Sequence, residues 1–158
     1  MPTILNGITI PDYPEIGQEI CHLFTGNYLY RLHGQHAGEP YKDVQTDSIE
    51  FLKNMIHLSR VSNIPIGNII MQGDLIIIGN GRNNLGEIVN ITHSMIAISP
   101  TTWFGCNNIG TFGNFFNALN IPANSLYGRR EVDINSVAAG ILNLATFTFG
   151  NFVFDVLR

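Results

Sequence analysis

The chain has 158 residues, 45% of them hydrophobic and 13% charged, with a formal net charge of −4. That length suits a single domain, residues 1–158, with a sizeable core. It carries only eight Lys and Arg, with Arg129-Arg130 the sole adjacent pair, and this excludes nucleic acid as the main partner, because phosphate binding needs clustered cations.

Residues 1–15 contain Pro2, Pro11 and Pro14 and read as an extended arm with at most one short strand. The stretch lacks the basic start and apolar run of a secretory signal, so the protein is expected to be made in the cytoplasm, with a specialised secretion system the route for any export. From Ile16 to Leu32, the positions Ile16, Ile20, Leu23, Phe24 and Leu29 suit one helical face, with Cys21 beside the stripe; Gly17 and Gly26 weaken this helix. Residues 33–43, HGQHAGEPYKD, form a loop. Asp47 with Glu50 three residues on has the pattern of a reciprocal helix start, and a second helix runs to about Ser62, ended by Asn63 and Pro65.

After Pro65 the character changes to short β-branched and aliphatic runs, which favour strands. Strands are expected at Ile66–Met71, Asp74–Ile78, Glu87–Ile91 and His93–Ser99, with a turn over Gly79–Gly86 and His93 opening the last of them. Residues 100–125 read as loop with one helical turn near Phe115–Leu119, and Glu131–Ile134 as another strand. The tail has two readings: a helix over Ser136–Leu144 followed by a single strand, or a short helix leading into a hairpin that turns at Gly150-Asn151. The hairpin is preferred. Asn143, Asn151 and Asp155 break up its apolar character and the Phe/Thr alternation has period two, so no membrane span is expected. Helices first and sheet afterwards make the fold class α+β.

The chemistry-bearing residues are few. Cys21 and Cys106 are the only cysteines. A thiol attacks as thiolate and needs a neighbouring base; that base needs a third polar group to hold its tautomer. Cys21 on a helix, His93 on a strand, and Asn107 or Asn108 fourteen and fifteen residues later could meet these needs. Cys106 is a rival nucleophile, and Asp133 and Glu131 are rival orienting groups. His22, His33 and His36 form an H-x-x-H-containing cluster near Cys21, to which His57 or Glu39 could add; without HExxH or CxxC, solvent-facing histidines are expected rather than a metal site. The loop Gly79–Gly86 matches neither a P-loop nor a dinucleotide fingerprint. No cofactor is implied. Trp103, Phe104, Phe112, Phe115 and Phe116 could line a groove near His93.

The order of a cysteine on an early helix, then Gly73-Asp74-Leu75-Ile76-Ile77, then His93-Ser94-Met95-Ile96-Ala97-Ile98 resembles the two signature strands of NlpC/P60-type peptidases. That family belongs to the papain-like cysteine hydrolase superfamily. The following Gly105-Cys106-Asn107-Asn108 is similar to the Gly-x-Asn-Asn loop of small bacterial amidase and deamidase effectors. The resemblance spans residues 16–113. It implies N-terminal helices packed on an antiparallel sheet, with Cys21 as nucleophile, His93 as base and Asn107 or Asn108 as orienting group. It further implies an amide substrate (a peptidoglycan peptide, a protein peptide bond or a Gln side chain), a toxin or effector role and a cognate inhibitor protein. After the nucleophile, where the family usually has a small residue, this chain has His22 and Leu23. The alternative function is a non-catalytic protein-binding or immunity-type module.

Overall fold

The structure is a computed structural model, and it describes residues 2–12, 21–33, 48–107, 128–137 and 142–158. Thr3–Leu5 (β1) and Ile8–Ile10 (β2) pair as an antiparallel hairpin. Asn6 and Gly7 form its two-residue loop with φ of 51° and 80°, the left-handed geometry that matches strand twist in tight hairpins. The arm expected to hold at most one strand is therefore two, and Asn-Gly was the signal for it.

Two twelve-residue helices follow, Cys21–Leu32 (α1) and Ser48–Ser59 (α2). Cys21 through Tyr30 are buried without a break, so α1 is enclosed on all sides instead of presenting one stripe. The chain from Ile66 to Met71 forms no strand. Asn68 N–H bonds Pro65 C=O at 3.1 Å, Gly67 has φ of 91°, and only Ile70 of this run's aliphatics is buried.

Among the described residues the sheet has seven strands in the order β6-β5-β4-β3-β9-β8-β7, with every neighbour antiparallel. They are Leu75–Arg82 (β3), Ile88–Ala97 (β4), Thr102–Asn107 (β5), Gly128–Asp133 (β6), Leu142–Asn143 (β7), Thr148–Phe149 (β8) and Phe152–Leu157 (β9), with Ile134–Val137 as a short helix (α3). The fold is α+β, with helices packed on a curled antiparallel sheet.

Several boundaries differ from expectation. β3 runs through Gly79–Arg82, which was read as turn. A register shift between Ile78 and Gly79 lets the strand bend there and continue, as bulges do. The runs before and after Thr92 are one strand, β4, so His93 lies inside it and opens nothing. Residues 102–107 form β5 where loop was expected. The hairpin at Gly150-Asn151 is present, joining β8 and β9. The expected helical turn at Phe115–Leu119 lies outside the described residues.

The sheet divides the interior into two cores. Side chains alternate between faces along a strand. Leu75, Ile77 and Ile96 point towards α1 and α2, joining Phe24, Tyr28, Leu29, Phe51 and Leu52. Ile76, Ile78, Met95 and Ala97 point the other way, joining Trp103, Val132, Phe147, Phe149 and Phe154. Phe154 stacks on Phe147 and meets Trp103 edge-on, both at 5.1 Å between centroids. Arg129 joins layers: its guanidinium lies 5.1 Å over the Phe24 ring and donates to Ile10 C=O at 3.0 Å and Pro11 C=O at 2.7 Å, pinning the hairpin to β6 and α1.

Candidate functional site

Polar groups are costly inside an apolar core unless they are paired, and one seam here gathers many of them. Along α1, β4 and β5, Cys21, His22, Thr25, His93, Ser94, Cys106 and Asn107 are all buried, on the two faces of the sheet. Neither cysteine is in a disulfide.

Register decides which groups face each other. Ile77 pairs with Ser94 and Ile78 with His93, so Ser94 shares the helix-facing side with Ile77, and His93 shares the opposite side with Ile78 and Met95. On β5, Phe104 lies 5.4 Å from Phe24 of α1; Cys106, two residues on, keeps that helix-facing side. Gly105 and Asn107 take His93's side. A Cβ on Gly105 would come within 3.3 Å of His93 Nε2 and 3.2 Å of Met95 Cγ, so the bare glycine makes room for the imidazole.

On the helix side the contacts are short. His22 Nδ1 and Ser94 Oγ are 2.8 Å apart, Ser94 Oγ and Thr25 Oγ1 are 2.7 Å apart, and Thr25 Oγ1 donates to Cys21 C=O at 3.1 Å. On the other side, burial holds the His93 imidazole well below the usual histidine range. The charge that His22 can carry lowers it further, and the Asn107 amide beside the ring pulls the other way. His93 therefore rests as a neutral imidazole, the form a general base needs.

Of the expected site residues, His93 and Asn107 are brought together on one face of the sheet. Cys21 is fully buried on α1, in the layer that packs on the other face. Asn108 lies outside the described residues, as do His36, Glu39 and most of the 33–43 loop. Asp133 is on β6 and Glu131 is directed to the helix side opposite Phe104. His22 was expected to face solvent and is 5% exposed, which corrects that reading: α1 is enclosed, so its polar positions are enclosed too. Ser94 and Thr25 were missed as site residues. The signal available for them was their position, Ser94 beside His93 and Thr25 one turn beyond Cys21.

Among the described residues no group of three or more His, Cys, Asp and Glu could hold a metal ion, and no helix is long and apolar enough to cross a membrane. A separate cavity of about 330 Å³ opens at the other end of α1, lined by Tyr28, Leu29, Leu32, Met71, Gly73 and Leu157. Set against protein-family models, curated proteins and solved structures, the chain matches none of them.

Proposed function

We propose that the protein is a cysteine-dependent hydrolase of an amide bond, built on a papain-like arrangement, with its chemistry in the seam between α1, β4 and β5. One observation carries this reading: both thiols and two imidazoles are buried on three adjoining elements, α1, β4 and β5, with hydroxyl partners on the helix side of the sheet and an amide on the other. Such clusters of buried, perturbed groups concentrate where chemistry is done.

In the assignment drawn from the residue pattern, Cys21 attacks the amide carbonyl as thiolate. His93 takes the thiol proton and returns it to the leaving amine, and Asn107 orients the imidazole. Water then releases the thioester. Because β4 turns His93 to the face away from α1, this assignment requires β4 to change its register or twist so that the ring reaches the helix side before thiol and ring meet. A second assignment, Cys106 with His22, keeps both groups on the helix-facing side. The substrate class is a peptide, a peptidoglycan cross-link or a protein side-chain amide. An exported effector with a cognate inhibitor is the setting that fits it.

A rival from another class also has an observation behind it. Leu32, Leu58, Ile66, Ile69 and Met71 are exposed aliphatics, two of them on the rim of the cavity, as a protein-binding module would present. Iodoacetamide labelling of the native chain at neutral pH, resolved by mass spectrometry, separates the two. The hydrolase has one thiol that reacts faster than in the unfolded chain. Two thiols that react only after unfolding remove the hydrolase and leave the binding module.

A further inference from the structure

The cavity at the far end of α1 from Cys21 is walled by Leu29, Leu32, Val61, Met71 and Leu157. Its volume of about 330 Å³ falls at the small end of the range for small-molecule sites, about 300–1,000 Å³. Such sites combine apolar walls with a few convergent polar groups, and the polar groups fix what is recognised.

Two polar side chains come from the hairpin loop and from α1: Asn6 and Tyr28 both line the cavity. Asn6 Nδ2 donates to Ala97 C=O at 3.1 Å and to Tyr28 Oη at 3.3 Å. A carbonyl only accepts, so the amide nitrogen, with its two hydrogens, must be the atom on that side. One hydrogen goes to Ala97 and the other to the phenol, whose oxygen is the acceptor. Tyr28 keeps its own hydrogen, and among the described residues no acceptor stands against it. The side chain is 1% exposed. Gly73 of the cavity wall leaves the phenol oxygen uncovered, since a Cβ there would stand 3.5 Å from it. Burial raises the phenol above its usual pKa, against the opposing effect of the Asn6 bond, so the group remains an O–H donor at neutral pH. Buried polar groups are nearly always bonded, and a leftover donor beside an apolar cavity calls for an acceptor that arrives with the occupant.

The charged and titratable groups at the cavity are Asp74, Arg158 and His33. Arg158 holds both oxygens of Asp74, at 2.9 and 2.7 Å, so that pair neutralises itself, and His33 is exposed. No buried charge there needs an ionic ligand.

We propose that the cavity binds a small uncharged molecule with an apolar body and one carbonyl-type acceptor, held at that acceptor by the Tyr28 O–H. This site is separate from the α1–β4–β5 seam and stands whether or not the seam is hydrolytic.

The test is an NMR titration of the full chain, labelled at its Leu and Val methyls, with benzylacetone and butylbenzene as probes. The two are alike in size and differ by a carbonyl in place of a methylene. Benzylacetone should shift the methyls of Leu29, Val61 and Leu157 saturably. Its acetyl methyl, and not its phenyl ring, should give NOE contacts to the Tyr28 ring. In Tyr28→Phe its affinity should fall about fivefold, the contribution of one hydrogen bond, while that of butylbenzene does not fall. No saturable shift at these methyls with benzylacetone overturns the proposal and leaves the cavity to a partner's side chain. An unchanged benzylacetone affinity in Tyr28→Phe, or an equal loss for both probes, also overturns it. Should Tyr28→Phe not fold, the orientation in wild type decides: a phenyl ring against Tyr28 removes the assigned contact.

Discussion

At the scale of single residues, the seam is governed by what burial does to an imidazole. His93 is 0% exposed, and desolvation is the main reason its folded form resists protonation. The unfolded chain takes up a proton there near pH 6.5, and the folded chain does so only at lower pH. Below about 6.5 the unfolded state therefore binds more protons, and stability falls as pH falls. One such group contributes a slope of at most about 1.4 kcal/mol per pH unit. The stability that His93 provides is fully present above pH 6.5 and is lost on the way down to its folded value. In denaturant titrations between about pH 5 and 7, wild type should lose stability on acidification, and His93→Gln, which cannot titrate, should show a shallower slope. Equal slopes would mean that His93 is protonated as easily in the folded chain as in water.

At the scale of elements, α1 illustrates how packing overrides propensity. Gly26 counts against a helix, since glycine costs about 1 kcal/mol relative to alanine there. Yet a Cβ on Gly26 would meet Phe51 Cε2 at 2.5 Å and Cδ2 at 2.8 Å, so the glycine is what allows α2 to close on α1. Gly26→Ala should gain that propensity but lose about 1–3 kcal/mol to overpacking, because the Phe51 ring is itself buried and rigid. A net drop in denaturant midpoint is the expected result, reversed by the double change Gly26→Ala with Phe51→Leu. Such approaches are invisible in sequence because they depend on which residue of another helix arrives opposite. What was legible was the α+β class, the second helix, the aliphatic strands after Asp74 and the closing hairpin, all from local periodicity and turn residues, whereas the run Ile66–Met71 was not a strand. The join at Thr92 and the continuation through Gly79 were not, since a bulge lets residues with poor strand preference stay in a ladder. Likewise, a separation of fourteen positions allowed Asn107 to return alongside His93, as it does. The His22–Ser94–Thr25 chain depends on how α1 is rotated over β4, and nothing local encodes that.

At the scale of the molecule, the sheet separates two cores, and its middle is held by the end of the chain. β9 lies between β3 and β8, so Phe152–Leu157 is an interior strand and not an edge. Arg158 fixes it. Its backbone N–H donates to Ser62 C=O at 3.0 Å and its C=O accepts from Ser62 N–H at 3.2 Å. Its guanidinium grips Asp74 through Nε at 2.9 Å and a terminal nitrogen at 2.7 Å, and also reaches Ile69 C=O at 2.8 Å. Asp74 is 2% exposed, whereas the Arg158 side chain is 42% exposed, so the two partners do not matter equally. Removing the arginine strands a buried carboxylate whose remaining bond, among the described residues, is from Met71 N–H at 2.8 Å. Breaking a fully buried pair costs about 3–5 kcal/mol, and solvent access at the arginine reduces this. Arg158→Ala should therefore destabilise the fold by about 1–3 kcal/mol, read as a lower denaturant midpoint. Asp74→Asn, which leaves behind only the solvent-exposed guanidinium charge, should cost less than Arg158→Ala, and adding it to Arg158→Ala should recover part of the loss. If the double variant is as unstable as the sum of the singles, the two side chains act independently and the closing strand is held by its ladder alone.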